Sequence, residues 1–279
     1  MLPQRPGAPQ RAGNGIRHAA GRKVHAPIAD PFEVWYAALE RRHTKDLRFA
    51  EIRRGVQALS SLYVERRARL ARGAALDGAG KRAAFALFYA PLHFLIVRHI
   101  VRALEAGVSP PRSVVDLGCG TGPAGAAWAL EAADAPEILG IERSAWAAGE
   151  ARWTLETLGL RGRVERADLC RAPLPGRGGA LILAYALNEV GEAAGGVVLQ
   201  RVLSAADRGA RVLLVEPLSR RAAPGWETWS AGVRAAGGRE DTWRLRPPLP
   251  EGARLLSRAA GLDHREVGAR SLWLPGAIC

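Results

Sequence analysis

The apolar positions of this chain change period partway along it. From Pro31 to Arg42 they recur at helical spacing. Phe32, Trp35, Tyr36 and Leu39 stand at i, i+3, i+4 and i+7, with Asp30 as N-cap and Pro31 at the first helical position. Leu47 to Arg72 predicts a second helical stretch, interrupted near Ser60-Ser61. Its apolar positions are Phe49, Ile52, Val56, Leu59, Leu62 and Val64. Arg53, Arg54, Arg66, Arg67, Arg69 and Arg72 lie mainly between them and make the outer face basic. Gly73–Gly80 reads as a linker. Lys81–Glu105 predicts one or two helices with a break at Tyr89-Ala90-Pro91. Phe85, Phe88, Tyr89, His93 and Phe94 in that segment are placed to roof a ligand site, or simply to pack helices on a sheet.

Beyond residue 112 short apolar runs alternate with helical segments. Strands are predicted at 113–115, 138–142, 163–168, 178–187 and 210–217, and helices at 124–133, 145–158, 195–206 and 226–236. A short strand at 242–246, a helix at 254–260 and a last strand or strand pair at 264–274 follow. The pattern is α/β: a Rossmann-like, doubly wound, mostly parallel sheet of seven-stranded type, with the near-continuously apolar strands of a covered parallel sheet. Trp146 and Trp153, one heptad apart on one helix, predict core packing. Three units result: a tail over 1–29, a basic helical extension over 30–108 and the α/β domain over 109–279.

The first strand of that domain runs into Asp116-Leu117-Gly118-Cys119-Gly120-Thr121-Gly122-Pro123. Strand, glycine loop and helix form the first crossover of a doubly wound sheet, where ligands sit outside the C-terminal ends of the strands. The dinucleotide fingerprint G-x-G-x-x-G is not met, because its third glycine position is Pro123. Asp116 would also repel a pyrophosphate, by ~4 kcal/mol at ~4 Å in a medium of effective dielectric ~20, and it favours a cationic ligand. The D-x-G-x-G-x-G run resembles motif I of the class I S-adenosylmethionine-dependent methyltransferases. Two further acids agree. Glu142 ends the second predicted strand and is placed to accept ribose hydroxyls. Asp168 ends the third, next to Leu169, and the resemblance implies that this position meets the adenine. Taken alone, each acid is equally at home as a helix cap or in a solvated loop. The implied cofactor is S-adenosylmethionine, held by Asp116, Gly118, Cys119, Gly120, Glu142, Asp168 and Leu169.

Substrate-facing groups are expected where the fourth strand ends, in Leu183-Ala-Tyr-Ala-Leu-Asn-Glu-Val190. Tyr185, Asn188 and Glu189 are the candidates, Asn188 to orient an acceptor and Glu189 as a base if burial raises its pKa. The alternative is that Asn188 caps the next helix and Glu189 lies in a surface ion pair. The segment is neither the N/D-P-P-Y/F form of amino-group methylation nor a two-cysteine RNA cytosine site. Ala58–Arg66, Tyr89-Ala-Pro91, Ala184–Val190, Leu214-Val-Glu-Pro217 and Ala235-Ala-Gly-Gly238 together resemble the methyltransferase-like ribosomal small-subunit assembly factors, over residues 45 to 275. That resemblance implies association with ribosomal RNA or the small ribosomal subunit. The chain departs from the family in one respect. The cysteine-rich metal-cluster segment expected after the fifth strand is Arg239–Pro250 here and contains no cysteine, so no metal cluster is expected.

Charge sharpens the choice of partner. The net charge of +13 is concentrated at the N-terminus, where residues 1–82 hold 17 Lys/Arg against 7 Asp/Glu. Such an excess fits a nucleic-acid partner, although an arginine-rich composition alone also produces it. Three cysteines, Cys119, Cys170 and Cys279, make no C-x-x-C pair and no disulfide framework, which fits a reducing cytoplasm. Residues 1–28 lack the apolar region of a secretory signal, and no uncharged run of ~18 apolar residues predicts a membrane span. The function expected is methyl transfer to ribosomal RNA or a small-subunit assembly intermediate. The alternatives are a small-molecule methyltransferase, a non-catalytic assembly factor that binds S-adenosylmethionine, and, disfavoured by Asp116, a nicotinamide enzyme.

Overall fold

Val114 and Val115, Ala180 to Leu183 and Val212 to Val215 are all buried, so the central strands are apolar on both faces and require cover on each. The computed structural model describes residues 29–65, 76–187, 190, 192–219, 225–262 and 265–276. Its strands are β1 (Ser113–Leu117), β2 (Glu137–Ile141), β3 (Gly162–Glu165), β4 (Gly179–Ala184), β5 (Arg211–Pro217), β6 (Arg239–Leu245) and β7 (Val267–Leu274). They form one sheet in the order β3-β2-β1-β4-β5-β7-β6. β1 to β5 pair in parallel, and β7 runs antiparallel between β5 and β6. The winding reverses at β1, which opens a crevice at the C-terminal ends of β1 and β4.

The helices are α1 (Pro31–His43), α2 (Phe49–Glu65), α3 (Ala79–Ala103), α4 (Pro123–Glu131), α5 (Ala145–Thr157), α6 (Glu192–Asp207), α7 (Trp226–Ala235) and α8 (Glu251–Ala259). One sheet face carries Val114, Ala180, Ile182, Leu213 and Val215 against α1 to α4 and α8. The other carries Val115, Leu181, Leu183, Val212 and Leu214 against α6 and α7. The helical extension thus shares a core with the sheet. Phe32 stacks on Phe94 at 5.0 Å and Trp35 meets the same ring at 5.5 Å. Each such side chain contributes on the order of 1.5–3 kcal/mol by burial. Asp30 caps α1 as expected, its Oδ1 accepting from the Phe32 amide at 3.1 Å.

The structure departs from the sequence pattern in instructive places. α2 passes through Ser60-Ser61 without interruption. Residues 66–75, with Arg66, Arg67, Arg69 and Arg72, lie outside the described residues, as do 1–28, His264 and Cys279. Pro91 does not break its helix. Phe85–Tyr89 form a π-helical turn, with the Ala90 amide donating to the Phe85 carbonyl five residues back. A widened turn just before the proline accommodates its missing donor without ending the helix. The merged α3 has 25 residues and is long and apolar enough to cross a membrane, but 72% of its most apolar window is buried inside the protein, as in a core helix. β3 ends at Glu165 rather than at Asp168. Trp146 and Trp153 are both partly buried; Trp153 packs against the main core, as expected, while Trp146 stands outside it. Both accept cations: Arg42 lies 4.9 Å from the Trp153 ring centroid and Arg82 5.7 Å from that of Trp146. Their helix face meets α1 and α3 at a seam reached by charged side chains, where a cation over an indole is favourable.

Candidate cofactor and acceptor site

The loop after β1 turns through three left-handed residues, Gly118, Gly120 and Gly122, with φ of 68°, 54° and 85°. L side chains rarely adopt that conformation, which accounts for the three glycines. Gly118 also lies close to β4's exit, where an added Cβ would stand 2.9 Å from that of Ala186. The Gly118 and Cys119 amides donate to the Ile141 carbonyl at 2.9 and 3.0 Å, tying the loop to the end of β2.

Two carboxylates hold this loop from below. Asp116 is 1% exposed, and its Oδ2 accepts from the Gly125 amide at 2.8 Å in the first turn of α4. Burial raises its pKa to about 7, against the lowering effect of that hydrogen bond, and Glu142 pushes it further up. The Glu142 Oε2 accepts from the Gly120 amide at 3.0 Å and its Oε1 from the Ser144 amide at 2.7 Å. Burial raises the Glu142 pKa as well. Neither acid makes an ion pair among the described residues.

Asp168 does different local work from a strand-end acid. It caps a 3-10 turn at Leu169–Arg171, with Oδ1 accepting from the Cys170 amide at 2.9 Å, a bond that lowers its pKa. The Arg201 guanidinium of α6 donates to the carbonyls of Leu169, Cys170 and Ala172 and anchors the turn. The sequence reading missed Arg201, because nothing in a helix pattern says which loop a helical arginine will reach. Gly118, Glu142, Asp168 and Leu169 come together around a cleft of about 170 Å³, with Arg143 and Cys170. Cys119 does not present its thiol there. It is buried, its Sγ would stand 2.9 Å from a Cβ on Gly140, and burial raises its pKa well up, so it is no nucleophile. A larger hollow of about 720 Å³ lies at the opposite pole, by Arg112, Arg177 and Arg211, at the N-terminal ends of the strands and away from the crevice.

At the far wall of the crevice, Tyr185 follows β4 with φ of 59°, its amide donating to the Val215 carbonyl at 2.8 Å. The buried Glu216 accepts from the Leu187 amide at 2.9 Å and orders the same segment. Tyr185 stacks on His93 of α3, ring centroids 3.7 Å apart and planes 9° from parallel. Asn188 and Glu189 lie outside the described residues. His93 was legible only as one aromatic-segment residue among several; its partnership with Tyr185 depends on how α3 crosses the sheet.

No protein-family model matches this chain, and no curated protein matches it. Solved structures do match in fold. A Nostoc punctiforme protein provisionally named an O-methyltransferase aligns at 14% identity over 78% of this chain and 72% of its own, with a TM-score of 0.50. A Synechocystis magnesium protoporphyrin IX methyltransferase with bound S-adenosylmethionine aligns at 18% identity, TM-score 0.45, over 78% of this chain and 96% of its own. A Pyrococcus horikoshii protein provisionally named an RNA methyltransferase aligns at 14% identity, TM-score 0.45, over 82% of this chain and all of its own, 100%. At these identities the likeness is one of fold: the chain has the Rossmann-like architecture of class I methyltransferases.

Proposed function

We propose that this protein is an S-adenosylmethionine-dependent methyltransferase whose favoured target is RNA, within small-subunit ribosomal RNA or a small-subunit assembly intermediate. One observation carries the cofactor assignment. Two carboxylates, Asp116 and Glu142, flank the glycine loop with pKa values raised by burial and no ion pair among the described residues. A cationic ligand offsets that charge; a dinucleotide's pyrophosphate would add to it. The residues present fit the group. A carboxylate has about four acceptor sites, so Glu142 retains acceptor capacity for ribose hydroxyls beyond its two amide bonds. Asp168 and Leu169 border the cleft where the adenine would lie, and the side-chain-free backbone at Gly118 and Gly120 would let the amino-acid portion approach closely. When bound, S-adenosylmethionine supplies an electrophilic methyl group on a sulfonium. The protein's part is to align an acceptor with that methyl at the β4 side of the crevice and to receive a proton.

The RNA target rests on charge and on the resemblance to assembly factors. Residues 1–82 carry most of the net +13. Arg53 and Arg54 stand on α2 beside the buried stripe Ile52, Val56 and Leu59. A second reading, methylation of a small molecule, is favoured by one observation: Phe85 stands over Gly120 and His93 stacks on Tyr185, so aromatic side chains of α3 cover the loop and the end of β4. Tritium transfer from labelled S-adenosylmethionine separates the two, with small subunits, free ribosomal RNA and a panel of small acceptors offered in parallel. Label in RNA supports the first reading. Label only in small acceptors overturns it, and cofactor binding with no transfer at all points to a non-catalytic assembly role.

A further inference from the structure

The crevice at the reversal point of the sheet has two halves. The β1–β2 half is the cleft that Glu142 borders. The β4 half lies between Tyr185 and the π-helical turn of α3, whose Phe85 ring reaches within 3.7 Å of where a Cβ on Gly120 would stand. If S-adenosylmethionine were held in the first half, the second would be the side from which an acceptor could reach its methyl group.

The second half is costly to build. Tyr185 holds a left-handed backbone that only glycine adopts freely. Its hydroxyl is buried with no hydrogen-bond partner among the described residues. His93 lies flat on the Tyr185 ring, and among the described residues burial alone acts on it, with neither a hydrogen bond nor a charge; its pKa falls to about 3 and the imidazole is neutral. Among the described residues, the titratable groups around it are Tyr89 on its own helix, at 6.2 Å between ring centroids, and Tyr185 across the crevice, with Glu216 acting on Tyr185 from β5. A π-turn, a strained residue and one unsatisfied buried hydroxyl gathered at one point mark a ligand site, because a ligand can repay what the fold spends there.

We propose that His93 accepts the proton of the methyl acceptor while Tyr185 holds its ring plane, and that the acceptor group is a hydroxyl or a weakly basic ring nitrogen; this rests on the methyl-transfer reading above. The step balances. A lone pair of the acceptor X–H forms the X–C bond, and the C–S bond breaks with its electron pair remaining on sulfur as a neutral thioether. The positive charge passes to X–H, and its proton moves to the free ring nitrogen of His93, then to solvent once product leaves. A neutral imidazole does not repel the sulfonium before transfer. Its weak basicity selects the acceptor class. A protonated ether, or a methylated ring nitrogen of low basicity, is a stronger acid than even this imidazolium and gives up its proton. An alkylammonium product is a weaker acid and keeps it.

Two measurements on the full chain test this. The first is ring-nitrogen NMR with S-adenosylmethionine and no acceptor. His93 is expected to show a neutral ring throughout pH 5.5–8 (from about 2.5 units above its lowered pKa upward) and to shift on saturation with the cofactor. A charged ring at pH 6, or a ring unmoved by saturating cofactor, overturns the proposal. The second is tritium transfer to ribosomal RNA, phenols and alkylamines. His93→Gln should slow transfer by about 100-fold or more while leaving cofactor affinity within about threefold, and added imidazole should restore His93→Ala in part. A His93→Gln variant at the wild-type rate, or an alkylamine as the best acceptor, overturns it. Wild-type protein that binds no S-adenosylmethionine refutes the methyltransferase reading itself. If no acceptor offered is labelled, the NMR result decides alone.

Discussion

Replacing Asp116 by asparagine separates the charge of that side chain from its shape. Asparagine keeps an oxygen to accept the Gly125 amide but never ionises. In the native protein the Asp116 pKa is raised from 3.8 to about 7, chiefly by burial. Between those values the folded state keeps a proton that the unfolded chain releases, so stability falls as pH rises through the window and levels off above it. The shift amounts to ~4 kcal/mol in full, of which about 3 kcal/mol develops between pH 4.5 and pH 8. Urea unfolding of both proteins across that range is the assay. The Asn variant should gain on the wild type by about 3 kcal/mol on going from pH 4.5 to pH 8. Glu142 titrates in both proteins, so the difference reports Asp116 together with its coupling to Glu142. Stability curves that run parallel across the range would refute the claim that Asp116 is a buried, uncompensated acid.

Other consequences are as direct. Gly118→Ala should lower the melting temperature, since it forces a side chain onto φ 68° and places a Cβ 2.9 Å from that of Ala186, whereas Gly149→Ala should raise stability by ~0.5–1 kcal/mol. Gly149 lies within α5, and a Cβ there meets nothing within 4 Å, so the two glycine variants are expected to shift melting in opposite directions. Glu150→Ala should cost about 1–2 kcal/mol in denaturant titration and loosen α1 from α5. It removes the acceptor of Arg42 at 2.9 Å and of His43 at 3.1 Å, with the exposure of Arg42 limiting the loss. RNA affinity, measured by filter binding, should fall steeply with salt as counterions are released, and binding insensitive to salt would sink the electrostatic argument for the N-terminal region.

Much of this was legible in the residues. Phe32, Trp35, Tyr36 and Leu39 share a buried face because helix period alone places them there. The central strands announced themselves as unbroken apolar runs, and the glycine loop as three positions where a side chain is excluded. What stayed hidden depends on contacts between distant segments. Asp168 looked like a strand-end acid because 163–168 read as one strand; β3 lies at the edge of the sheet, paired among the described residues with β2, and stops at Glu165. β6 starts earlier than the pattern suggested, because its charged residues Arg239, Glu240 and Asp241 pair with Trp273, Leu272 and Ser271 of β7 and show no apolar alternation of their own. The π-turn at Phe85–Tyr89 removed a break that Pro91 alone predicts, and the His93–Tyr185 stack requires α3 to lie across the mouth of the crevice. Trp153 packs on the core as its spacing implied, but Trp146 does not, because spacing fixes a face without saying what each position of that face meets.

The central claim is that a cation-bearing cofactor sits on the Gly118–Gly120 loop with its ribose on Glu142. Calorimetric titration of the full chain with S-adenosylmethionine, beside Glu142→Ala, tests it most directly. The account predicts saturable one-to-one binding by the wild type and a loss of about 10- to 100-fold in the variant, the equivalent of one or two charge-assisted hydrogen bonds. Absence of heat and of any melting-temperature shift with a folded wild type, or equal affinity in the two proteins, would contradict it.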